Sequence, residues 1–247
     1  MKLHIAIITA SLLAAVAGCQ QQPYGQQQQQ KLDEVLQRLT KLENNQATIA
    51  KRVGLAELVR PDAIELGNGI KEGNENATVA ILEFTDLQCP FCKRFNDETM
   101  PEIKKQFIDT QKILYVSQDY PLVQSHPAAA PAALALRCVY QQKPDAYQSA
   151  KDALFQMTSQ LSEEKLVKLA KDMALDSEQF NACRQNKETA NQVISSLKYG
   201  AELGINSTPT FFIGKLENGK LTDYEIVDGA KPFEHFKQVI DSKMSGK

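Results

Sequence analysis

From Leu32 onward apolar residues recur at alternating spacings of three and four: Leu32, Val35, Leu39, Leu42, Ile49, Val53 and Ala56, with Gln46 as the polar member of the row. This heptad seam predicts a helix over residues 31–60, and Asp33, Glu34, Arg38 and Lys41 fall on its other faces. The Arg60-Pro61 step is expected to close it, because a residue before proline disfavours helical geometry. Roughly three heptads make a marginal helix in water unless the apolar stripe is covered. Either its own domain covers it or the same helix of a second copy does. The second reading makes residues 31–58 a homodimer contact, with Gln46 helping to set register.

Beyond Pro61 the periodicity becomes mixed. Residues 63–66 predict a short strand and residues 68–76 a polar, glycine-containing turn. Thr78-Val79-Ala80-Ile81-Leu82-Glu83-Phe84 is apolar and rich in β-branched residues, a buried central strand in which Glu83 is the anomaly. A helical pattern follows through Phe95, Met100, Ile103 and Phe107, then a strand over residues 112–117. Residues 126–204 read as helical throughout, while Thr210–Ile213 and Tyr224–Val227 predict paired strands around a turn containing Asn218-Gly219. A closing helix runs from Pro232 to about Met244. This order is that of an α/β thioredoxin fold in two parts, 62–125 and 205–247, interrupted by a helical insertion at 126–204.

The chain of 247 residues carries 28 Lys+Arg against 30 Asp+Glu, a formal charge of −2, which gives no support to a nucleic-acid-binding surface. With 43% hydrophobic and 23% charged residues, wholesale disorder is excluded. At the start, Lys2 precedes an apolar run from Ile5 to Ala17, the layout of a signal segment over residues 1–18 and too short to span a membrane well. Val16-Ala17-Gly18-Cys19 resembles a lipobox, which implies cleavage before Cys19 and its lipidation. The resemblance to lipoprotein sorting further implies that Gln20, in place of Asp after that cysteine, favours the outer membrane over inner-membrane retention. A plain secretory signal that leaves Cys19 as a free thiol is the alternative. Residues 19–30, nearly all Gln, read as a tether.

Export places the remaining cysteines where disulfides persist. Cys89-Pro90-Phe91-Cys92 follows a strand and opens a helix, so Cys89 is the expected N-cap and Pro90 fits N1, where its missing N–H is harmless. Unpaired N–H groups and the helix dipole favour negative charge on the Cys89 sulfur, which makes it the nucleophile. Cys92, one turn further in, can attack a mixed disulfide and release the product. A zinc site needs four ligands, but His126 and His235 stand singly and His126-Pro127 reads as a surface residue or a helix start. No cofactor beyond the cysteine pair is expected, and no metal.

On these residues the chain resembles the DsbA-like thiol:disulfide oxidoreductases over about residues 62–246. The resemblance implies Cys89 and Cys92 as the redox pair and Glu83 as a buried acid that assists proton transfer involving Cys92. It also implies that Thr208-Pro209 is a cis-proline loop which, with Pro90 and Phe91, meets the client. Phe91 stands where strongly oxidising members carry His and has no hydrogen bond to offer a thiolate, which leaves oxidising power open. Thr208 and the heptad helix resemble the dimeric isomerase relatives, and the whole chain resembles outer-membrane DsbA-like lipoproteins that dimerise through an N-terminal extension. Cys138 and Cys183 then remain as an even pair, read as a structural disulfide, with two unpaired buried thiols as the alternative. The implied partners are exported protein clients and a membrane recharging protein of the DsbB or DsbD type. A non-catalytic surface adhesin or scaffold on the same frame is the competing function.

Overall fold

A computed structural model describes residues 24–246. The expected signal segment, the lipidation candidate Cys19 and the first part of the tether lie outside the described residues. The chain divides into two units, Met1–Gln46 and Ala47–Lys247.

Helix α1 spans Tyr24–Arg52. It starts earlier than the heptad pattern predicts, because the glutamines from Gln26 to Gln30, expected in the tether, are helical. Glutamine is a good helix former, so these residues extend a helix that the apolar seam specifies. Within the first unit Leu32, Val35, Leu36, Leu39 and Leu42 are exposed along the helix. Arg38 pairs with Glu34 one turn away at 2.6 Å. The helix stops well before Arg60-Pro61. Gly54 takes a left-handed φ of +77°, and the Leu55 N–H bonds back to the Ala50 carbonyl at 2.8 Å, a glycine-based C-terminal cap that outranks the later proline.

In the second unit, strands β1 (Ala63–Glu65), β2 (Ile70–Gly73) and β3 (Val79–Thr85) are followed by helices α2 (Pro90–Glu98) and α3 (Met100–Ile103), which a π-turn extends over Lys104–Ile108. Strand β4 (Leu114–Asp119) leads into the insertion, helices α4 (Ala129–Gln142), α5 (Tyr147–Gln156), α6 (Glu163–Asp172), α7 (Ser177–Gln185) and α8 (Lys187–Glu202). The chain returns through β5 (Thr210–Glu217) and β6 (Lys220–Asp228) and ends in α9 (Phe233–Ser245). Among the described residues six strands form one sheet in the order β1-β6-β5-β3-β4-β2, in which β3 and β4 are parallel. This is a thioredoxin fold with an inserted helical subdomain over α4–α8.

Each helix of the insertion's second half begins on a residue suited to the task. Ser162, Asp176 and Asn186 accept backbone N–H bonds into α6, α7 and α8. Asn218 and Gly219 both have positive φ and close the β5–β6 hairpin. Strand β2 corrects the expected polar turn at 68–76: it is an edge strand on β4 with Ile70 as its one fully buried residue, too little apolar signal to show in a pattern. Strand β4 also runs two residues past its predicted end. Gln118 and Asp119 are buried polar residues with partners, Gln118 Nε2 donating to the Leu66 carbonyl at 2.6 Å and Asp119 pairing with Arg137.

All seven residues of β3 are buried. Val79 and Ile81 pack with Phe95 of α2, Met100 of α3 and Phe236 of α9, while Ala80, Leu82 and Phe84 face Leu203 and Ile205 across the sheet. The third cluster holds the insertion, and Cys89 and Cys92 belong to it together with Ala132, Leu136, Cys138, Leu154 and Phe155. The cysteine pair therefore sits where the insertion meets the sheet domain.

Candidate active site

Strand β3 ends at Thr85, and Asp86-Leu87-Gln88 carries the chain to Cys89 at the start of α2. Cys89 is extended (φ −78°, ψ 125°) and serves as N-cap, with Pro90 in the first helical turn. Both cysteines are free thiols, Cys89 4% and Cys92 0% exposed. Phe91, between them, is 53% exposed, and the Arg94 guanidinium lies 5.2 Å over its ring.

The Cys89 thiol titrates at about 5, far below its ordinary value. The Cys92 thiol, hydrogen-bonding to the Cys89 sulfur, is the largest cause; burial works against it, and the Thr208 hydroxyl and the N–H groups of Cys92 and Phe91 add to it. Cys92 goes the other way, pushed well up by burial first and then by its bond to Cys89 and the charge there. The pair is thus divided into one sulfur that is anionic near neutrality and one that keeps its proton.

The Thr208–Pro209 bond is cis, and the Cys89 thiol donates to the Thr208 carbonyl at 3.4 Å. The Thr208 hydroxyl is buried without another hydrogen-bond partner, which leaves it free for a Cys89 thiolate. The loop before β5, the strand paired directly with β3, is thereby placed against the first sulfur. Cys89, Cys92, Thr208 and Pro209 come together at one site, with the side chains of Pro90 and Phe91 at its exposed rim.

Glu83 is 1% exposed, on the strand leading to Cys89. Its Oε2 accepts from Lys151 Nζ at 2.8 Å and from Ser117 Oγ at 3.0 Å, so its hydrogen bonds run to β4 and α5 instead of to a sulfur. The sequence reading did not single out Lys151. Its signal was there: Tyr147, Ala150, Lys151 and Leu154 share the inward face of α5 at helical spacing, which puts a lysine among core positions. His126, expected as a surface residue or a helix start, lies just before α4, is half-buried and bonds to Asp86, a partner 40 positions away that no local pattern marks. Cys138 and Cys183 are joined by a disulfide within the insertion. Among the described residues no group of His, Cys, Asp or Glu could hold a metal ion, and no helix is long and apolar enough to cross a membrane.

An acidic thiol capping a helix, a buried second thiol one turn on and a cis-proline loop against them define a thiol–disulfide redox centre on a thioredoxin fold. The chain belongs to the thioredoxin family, whose model, described as Thioredoxin, matches residues 65–242. Over 182 residues it is 26% identical to Disulfide bond formation protein D of Bacillus subtilis (strain 168), spanning 71% of this chain and 77% of that protein. The solved structure of alpha-DsbA1 from Wolbachia pipientis is similar at a TM-score of 0.64 and 26% identity, covering 77% of this chain and 96% of that one. Oxidised BdbD from Bacillus subtilis shares the fold, with a TM-score of 0.63 at 23% identity over 75% of this chain and all (100%) of that one. The protein is a DsbA-like oxidoreductase and an enzyme, with the Cys89–Cys92 pair as its redox centre.

Proposed function

We propose that the protein exchanges disulfides with exported protein clients in the bacterial periplasm. The observation that carries this reading is the division of the cysteine pair into an acidic Cys89 and a fully buried, protonated Cys92. The Cys89 thiolate attacks a client disulfide, forms the mixed disulfide and releases one client sulfur as a thiolate. Cys92 then gives up its proton and attacks Cys89 Sγ, so that the Cys89–Cys92 bond forms, the bond to the client breaks and the client leaves with two thiols. Run backwards, the oxidised pair accepts a client thiolate and hands over its disulfide. Glu83 serves as the acid–base group behind Cys92, and the Thr208-Pro209 loop, already bonded to Cys89, receives the client beside Pro90 and Phe91. The relative named Disulfide bond formation protein D supports the substrate class.

The same reading takes residues 1–18 as a signal, Cys19 as the lipid-bearing residue that anchors the protein, with Gln20 directing it to the outer membrane, and residues 31–58 as the contact of a homodimer. The exposed row of Leu32, Val35, Leu39 and Leu42 supports the dimer, since a partner helix would cover it. A DsbB-type partner would recharge the enzyme as an oxidase, and a DsbD-type partner would keep it reduced as an isomerase. Insulin reduction and refolding of scrambled ribonuclease, compared for wild type and Cys89→Ser, test the core claim. Both activities are expected to vanish in the variant; activity that survives there overturns it.

A further inference from the structure

The segment between β4 and α4 carries a histidine that this exchange scheme leaves unused. His126 Nδ1 lies 2.8 Å from Asp86 Oδ2, the Asp86 side chain being wholly buried and that of His126 20% exposed. The same carboxylate accepts the Gln88 N–H at 2.7 Å and the Leu122 N–H at 2.8 Å. Gln88 repeats the link in the other direction, its Oε1 accepting the Ala128 N–H at 2.8 Å. Residues 122–128 thus hold, by side-chain bonds, the three-residue approach to Cys89.

What this grip fixes is a backbone group. The Asp86 N–H points at Cys92 Sγ, 3.5 Å away, and the Asp86 carbonyl accepts the Cys89 N–H at 3.0 Å. Negative charge must develop on the Cys92 sulfur when it attacks the mixed disulfide, in a place where burial opposes that charge. A donor already aimed at the sulfur stabilises the charge without reorganising, provided that its peptide plane is held. That peptide is held from both ends: the Thr85 carbonyl accepts the Tyr120 N–H at 2.7 Å, and two of the three bonds to the Asp86 side chain come from the β4–α4 segment, that of His126 being the one a side chain supplies.

We propose that His126 is a positioning residue for the resolving step: through Asp86 it keeps a backbone donor on Cys92 Sγ, and so speeds the attack of Cys92 on the mixed disulfide while leaving the first attack by Cys89 unaffected. The inference rests on Cys92 being the resolving thiol. In that step the Cys92–Cys89 bond forms and the Cys89–client bond breaks. Cys92 is oxidised, the client sulfur is reduced, and the proton lost by Cys92 balances the one that the departing client sulfur gains.

The two attacks separate when the reduced full-length protein is mixed with the aromatic disulfide DTNB. Attack by Cys89 releases one coloured thiolate, and attack by Cys92 on the resulting mixed disulfide releases the second. His126→Leu is expected to leave the first phase within about twofold and to slow the second on the order of tenfold, the loss of one hydrogen bond to a charged group. His126→Asn, whose amide nitrogen can stand where Nδ1 does, is expected to restore most of the second phase. An unchanged second phase in His126→Leu, equal slowing of both phases, or no rescue by Asn overturns the proposal. Asp86→Asn, nearly isosteric, must slow the second phase alone, and decides the matter if His126→Leu does not fold. A second phase that persists in Cys92→Ser would instead overturn the assignment of Cys92, a failure distinct from an unaffected His126 variant in an enzyme that needs Cys92.

Discussion

Lys151 Nζ on helix α5 lies 2.8 Å from Glu83 Oε2 on the central strand, and both side chains are 1% exposed. Ser117 Oγ joins them, 3.2 Å from the ammonium and 3.0 Å from the carboxylate. Burial draws the lysine toward its neutral form, but the Glu83 carboxylate beside it outweighs that and holds the ammonium charged. Two charges taken out of water gain little as a pair, whereas one left alone is costly. Lys151→Met is therefore expected to destabilise the protein by about 3–5 kcal/mol. Lys151→Met combined with Glu83→Leu is expected to recover much of that loss. Urea unfolding of the oxidised protein measures both, and a single variant as stable as wild type would contradict the pairing.

The acidity of Cys89 gives a pH signature. Its thiol titrates at about 5 in the fold against an ordinary value of 9.0, so folding of the reduced protein favours the thiolate. The stability this group contributes is complete above pH 9.0, shrinks as the pH falls below that, and is gone once the pH has passed below about 5. Cys92, raised, works in the opposite sense and only on the alkaline side. Thiolate absorbance of the reduced protein is expected to rise with a midpoint near 5, and the urea midpoint of the reduced form, relative to the oxidised, to fall steadily as the pH is lowered from about 9 to about 5. A thiolate midpoint at the value of a free cysteine would contradict it.

The Cys138–Cys183 disulfide ties α4 to α7 across 45 positions. Replacing both cysteines by alanine is expected to cost about 2–4 kcal/mol of stability. The Cys89 titration is expected to stay where it is, because neither residue is among the groups that set it. Calorimetry and thiolate absorbance on the same variant check the two halves separately.

Gly200 brings the backbone of α8 close against Tyr120 and Phe84. A Cβ there would lie 2.5 and 2.6 Å from carbons of the Tyr120 ring and 3.1 Å from Phe84. Tyr120 has no freedom to withdraw, since its hydroxyl donates to the Ile205 carbonyl at 2.6 Å and its ring meets Phe84 edge-on. Gly200→Ala is expected to destabilise by about 1–3 kcal/mol despite the better helix propensity of alanine. Thermal unfolding checks the sign, and a gain in stability would show that Tyr120 can move.

Much of this could be read from the chain because the informative segments are locally self-consistent. The β3 run, the Cys-Pro-Phe-Cys step into a helix and the Asn218-Gly219 hairpin each state their conformation within a few residues. What escaped the reading depends on partners remote in sequence. Strand β2 exists because β4 lies beside it, and Gln118 and Asp119 are tolerated in β4 because Leu66 and Arg137 reach them. Of the site, the sulfurs were legible through their motif. Lys151 could have been found from its place on the inward face of α5, but its pairing with Glu83 needed the fold, and so did the meeting of His126 with Asp86.

The complete enclosure of Cys92 behind Cys89 makes the centre a turnstile with one gate. Any macromolecule that engages the pair must enter through Cys89, and its release waits on a sulfur it never touches from outside. A chain that lacks the inner sulfur would admit its callers and keep them, so that the proteins it accumulates in its own cell would form a roster of its natural traffic.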